Sequence, residues 1–124
     1  MKRPCAGART LLAGVCLALA NRNLCAATLY VAPDSPNPSP PYAAWATAAH
    51  VIQDAVDAAA ADDQIVVTNG VYATGGRAIY GLMTNRVAAD KPVTARSVNG
   101  PGVTIIQGYQ VPVTTNGDGA IRCM

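Results

Sequence analysis

The chain has 124 residues, enough for one small domain, and its 51% apolar content makes a buried core feasible. Ala and Val dominate that fraction and Phe is absent, a composition that suits thin stacked sheets better than a thick globular core. The formal charge of +2 belongs to the leader: from residue 28 onward five basic residues face seven aspartates, a net −2 with no basic cluster, which sets nucleic-acid binding aside.

The chain opens with Lys2, Arg3 and Arg9, then runs without a charge from Thr10 to Ala20. That length fits the apolar region of a secretory signal and is too short for a permanent bilayer-spanning helix. Two small-x-small steps follow, Ala18-Leu19-Ala20 and Cys25-Ala26-Ala27. The pattern predicts a signal peptide over residues 1–27, cleaved after Ala27, because Thr28 then opens a strand-like run at once. The product is expected to be secreted or on the cell surface, with no transmembrane segment after signal removal. Cys16 does not read as a lipid-attachment site, since bulky Val15 stands where a small residue is required. Cys5, Cys16 and Cys25 leave with the signal, and Cys123 alone remains, so no disulfide framework is expected in the mature chain.

Residues 28–44 read as a strand followed by a connector. Thr28 to Ala32 has strand composition, and residues 33–41 then hold five prolines in nine positions. Proline fixes φ and lacks an amide donor, so this stretch reads as an extended surface loop. Trp45, Ala49, Ile52, Val56 and Ala59 recur at helical spacing, with His50, Asp54 and Asp57 on the other side. This predicts one amphipathic helix with Thr47 as its N-cap and a solvated His50.

After Asp62-Asp63, the run Gln64 to Thr68 reads as a buried strand closed by the turn pair Asn69-Gly70. Further strand-like runs cover Pro92 to Val98, Val103 to Gln107 and Ala120 to Met124, separated by Gly- and Asn-rich punctuation. Short strands at this spacing fit a sandwich, a barrel or a solenoid.

Trp45-Ala46-Thr47, Ile52 to Ala59, Asp63 to Val67 and Asn69-Gly70-Val71-Tyr72 together resemble the N-terminal cap and first coils of pectate-lyase-like right-handed parallel β-helix proteins. Tyr30-Val31 and residues 93–107 are similar to a bacterial surface-protein group with polymorphic outer-membrane-protein repeats. The resemblance implies an all-β fold for residues 45–124: the start of a right-handed parallel β-helix whose capping α-helix covers the first coil. Only two or three coils fit before residue 124, so the expectation is a truncated product of a longer solenoid.

No catalytic, cofactor-binding or metal-binding residue is expected. A lyase or hydrolase of this family needs grouped carboxylates, whereas the mature chain has no Glu and scattered Asp. Asp62 and Asp63 read as turn formers, and Asn116-Gly117-Asp118-Gly119 lacks the ligands of a calcium loop. One His and one terminal Cys do not make a nucleophilic site. Arg77, Arg86 and Arg96 are expected on the solvent side, and Gly75-Gly76 reads as a bend. The expected function is an exported, non-enzymatic module whose partners are extracellular polysaccharide or surface proteins, with self-association through its open C-terminal coil. The alternative is the N-terminal fragment of a polysaccharide lyase or hydrolase whose catalytic part lies elsewhere; a third is a chain with no function of its own.

Overall fold

The computed structural model describes residues 25–124, so the expected signal segment lies outside the described residues except for Cys25 to Ala27. Strands β1 (Thr28–Val31), β2 (Gln64–Val67), β3 (Gly70–Tyr72), β4 (Arg77–Tyr80), β5 (Met83–Asn85), β6 (Thr94–Ser97), β7 (Thr104–Ile106) and β8 (Ile121–Arg122) follow in chain order. A 3-10 turn (Trp45–Thr47) and one α-helix, α1 (Ile52–Ala58), lie between β1 and β2.

The expected right-handed parallel β-helix is corrected by this arrangement. The strands divide into three separate small sheets, β1-β2-β6, β3-β7 and β4-β5-β8, and α1 has seven residues. The first two sheets are parallel, but the third is mixed, because β4 and β5 form an antiparallel hairpin. The physical reason lies at Gly81, whose φ of 57° lets residues 81 and 82 reverse the chain directly. The run from Arg77 to Asn85 thereby pairs with itself instead of continuing in a parallel register. Sequence periodicity read this stretch without assigning it a strand.

The core forms where β1 and β2 stack. Leu29 pairs with Ile65 and Val31 with Val67, and all four side chains are buried. Helix α1 lays Ile52, Ala55 and Val56 on this row, with Ala59 just beyond its end. Seven residues are too few for a stable isolated helix, so burial of this face holds it. The same row continues in β6 with Ala95 opposite Ile65 and Ser97 opposite Val67. There the apolar stack ends, and an open cavity of about 400 Å³ remains, lined in part by Ile52, Val67, Val87, Ala95 and Ile106.

Two polar clamps tie the second half to this core. Buried Gln53 donates from Nε2 to Ala88 O at 3.1 Å and accepts the Ala88 N–H at 2.7 Å. Arg86, expected in solvent, is instead buried; its Nε donates to Gln107 O at 2.8 Å and its Nη1 to Gly75 O. The guanidinium therefore joins the chain before the hairpin to the end of β7. The helical stripe is also shorter than its spacing suggested. Ala48 turns extended after the 3-10 turn (ψ 147°), α1 starts at Ile52, and its N-cap Val51 makes no side-chain hydrogen bond. Thr47 lies inside the 3-10 turn rather than capping the helix.

Replacing the central side chain of the row, Ile65→Ala, is expected to lower unfolding free energy by about 2–5 kcal/mol in a urea titration. Ala95→Leu, which extends the row into the open cavity, is expected to be neutral or stabilising in the same titration; a loss as large as that of Ile65→Ala would contradict this account.

Candidate functional site

Strand β1 turns Tyr30 away from the core, opposite in sense to Leu29 and Val31. Its free edge is covered by the returning connector: Tyr30 N–H donates to Tyr42 O at 2.8 Å, and Ala49 N–H donates to Tyr30 O at 2.9 Å. Covering the edge in this way removes a row of unpaired backbone groups. The Pro-rich loop is tied down as well, with Asn37 N–H on Ala46 O, Ser39 N–H on Thr47 O, and the Ser35 hydroxyl donating to Ala48 O at 2.6 Å. His50 is exposed, and its Nε2 lies 2.9 Å from Ser35 O. Its contact is therefore structural.

This scaffold fixes the 3-10 turn so that Trp45 stands beside Tyr30. The ring centroids are 4.4 Å apart and the planes are inclined at 58°. Trp45 remains 43% exposed, although its spacing had placed it on the buried stripe. The signal that separates it is local: Thr47, His50 and Val51 are weak helix formers and break the run before Ile52. The result is an aromatic surface held by a hydrogen-bonded backbone, with the indole of the chain's only Trp at its centre. Such rings combine a large apolar face with a polar edge, which suits ligands of the same mixed character.

Asp57, Asp63 and Asp90 have structural partners nearby. Asp63 is buried, and its carboxylate accepts from the Ala60 and Ala27 N–H groups at 2.8 Å each. Asp62 takes the left-handed turn position with φ 70°, a conformation that Asp tolerates. Asp57 and Asp90 both pair with Arg77 at 3.2 Å, while Lys91 donates to Ala59 O at 2.8 Å beyond the end of α1. Among the described residues no group of three or more His, Cys, Asp or Glu could hold a metal ion.

The opposite end of the molecule has another character. β6 is an edge strand, Ile105 and Val103 are exposed, and Cys123 is a free, exposed thiol whose Sγ lies 3.4 Å from Ile106 O. Cys25 is disulfide-bonded. No helix among the described residues is long and apolar enough to cross a membrane.

Two tyrosines titrate above their ordinary value of 10.0. Burial raises Tyr42, with Asp54 adding to it. Burial also raises Tyr72, with Asp34 contributing, against a hydrogen bond with Thr68 that lowers it. The Tyr72 hydroxyl donates to Thr68 O at 3.0 Å, a bond that ionisation abolishes. Because the folded-state value is raised, the stabilisation is fully present below pH 10 and is lost as pH rises through the folded value. Stability is therefore expected to fall above about pH 10, and Tyr72→Phe to make that fall shallower while costing about 1 kcal/mol at neutral pH for the lost hydrogen bond. Denaturation midpoints measured from pH 7 to 11 check both.

Comparison with known proteins adds no relative: no protein-family model matches the chain, and no curated protein or solved structure matches it either.

Proposed function

We propose that this chain is an exported, non-enzymatic β-rich module of a secreted or cell-surface protein that binds extracellular polysaccharide through Trp45 and Tyr30. The observation that carries the reading is the aromatic pair itself, held half in solvent by a hydrogen-bonded loop rather than packed into the core. A pyranose ring offers a face of C–H groups that stacks on an indole, and its hydroxyls stay hydrated at the rim. The leader's charge pattern supports export. The structural partners of Asp57, Asp63 and Asp90 support a binding role over hydrolysis, because those carboxylates already serve the fold.

Binding is expected to shift the emission of Trp45, the chain's single Trp, when polysaccharide is titrated into the protein. Trp45→Ala is expected to weaken binding about tenfold or more by calorimetry, the effect of losing ~1.4 kcal/mol of contact. Unchanged affinity in a folded Trp45→Ala protein would reject the site, and release of uronic acid or reducing ends from the polymer would reject the non-enzymatic reading.

The same reading gives the far end a second copy as its partner. The free edge of β6 and the exposed thiol of Cys123 favour association there. Light scattering is expected to show a dimer or larger species, partly dissociated by reductant; a monomer in both conditions would count against it.

A further inference from the structure

We propose a second ligand site, for a sugar acid, in the cavity between β5 and the loop over residues 109–121, with Arg122 as the group that receives the carboxylate. The loop is closed at its base by a two-way backbone pair: Tyr109 N–H donates to Ile121 O at 2.7 Å, and Ile121 N–H donates to Tyr109 O at 2.8 Å. Ile121 and Arg122 in turn pair with Thr84 and Asn85 of β5. Inside the loop, Thr115 N–H donates to Val111 O at 2.8 Å and Ala120 N–H to Gly117 O at 2.9 Å. Val113 and Thr115 hold φ values of 79° and 58°, a left-handed backbone that β-branched residues rarely adopt. Such positions are concentrated where a chain is held in one shape around a ligand.

The cavity measures about 370 Å³, inside the span of roughly 300–1,000 Å³ usual for small-molecule sites. Tyr109, Gln110, Thr115, Asn116 and Arg122 line it, with Thr84 from β5. Among the described residues, the Tyr109 hydroxyl, the two side-chain amides and the Arg122 guanidinium make no hydrogen bond or ion pair with the protein. Buried Gln53, Asp63 and Arg86, by contrast, are all engaged by the fold. Asp118, the loop's own carboxylate, is not part of the lining and makes no ion pair with Arg122. Uncommitted polar groups are thus gathered on one concave surface, with a positive charge and no negative one among them. A guanidinium takes a carboxylate through two parallel N–H···O bonds. Amides and hydroxyls both donate and accept, as ring hydroxyls do, and a tyrosine adds an apolar face. A hydroxylated ring bearing one carboxylate matches each of these features. Trp45 is not part of this lining, so the site is distinct from the aromatic pair.

The test is a titration of the isotope-labelled protein with glucuronate, glucose and acetate, followed through its backbone amide shifts. Glucuronate is expected to bind about tenfold or more tighter than either of the others, with shifts in residues 109–122. Equal affinity for glucuronate and glucose, equal affinity for glucuronate and acetate, or no shift at all would overturn the proposal. Shifts confined to the amides around Trp45 would overturn this site while leaving the aromatic one standing. Arg122→Gln is expected to reduce glucuronate binding to the level of glucose; a folded variant that keeps the full preference would contradict the role given to Arg122. Asn116→Ala, at an exposed loop position, is expected to weaken both sugars together, and unchanged affinity for both would count equally against the site.

Discussion

The parallel register of β1 on β2 sets Leu29 over Ile65 and Val31 over Val67, and most of the remaining structure is arranged around that small apolar row. Helix α1 exists because it covers the row. The connector runs where it does because β1's other edge needs donors and acceptors, which residues 42 and 49 supply. Even the aromatic pair follows from the pleat: with Leu29 and Val31 inward, Tyr30 must face outward, and the covering segment brings Trp45 beside it. A one-residue slip of β1 would bury Tyr30 and expose both aliphatic side chains.

Away from this row the means of cohesion change. Ala95 and Ser97 occupy the third position of the stack, so β6 adds backbone hydrogen bonds but little apolar burial. The hairpin and the segments beyond it exchange hydrophobic contact for polar attachment through Gln53 and Arg86. Arg86 is instructive because among the described residues no carboxylate pairs with it; its charge is met by the carbonyl dipoles of Gly75 and Gln107. Truncating such a group strands the carbonyls it served, so its role is to position segments rather than to add net attraction.

Most strand positions were legible in sequence while the fold class was not, and the reasons differ by element. β1, β2, β6, β7 and β8 all lie inside runs recognisable by β-branched composition and turn punctuation. The turn at Asp62-Asp63 was likewise legible as local chemistry. The β4-β5 hairpin was not, since it depends on a reversal at Gly81 and on pairing that composition does not encode. Trp45 was misplaced because its spacing continued the helical period across a stretch whose backbone is extended at Ala48. Arg86 was misplaced because a charged residue is rarely enclosed without an opposite charge, and the carbonyls that receive it lie 11 and 21 residues away in sequence. For the candidate site, the residue types were visible and their exposure was not. Sheet assembly was the least legible level, and a family likeness read from short motifs overshot it.

The order in which the chain becomes available has its own consequence. Thr28 finds its ladder partner only at Gln64, and Gln64 finds its next one only at Thr94. Contacts so distant in sequence must await loop closure, which makes such topologies slow to form. During synthesis from the N-terminus, β1 therefore emerges with nothing to pair with, and more than thirty further residues must follow before the first sheet can close. A chain built this way passes its early life with its first strand unpaired and its apolar row unassembled.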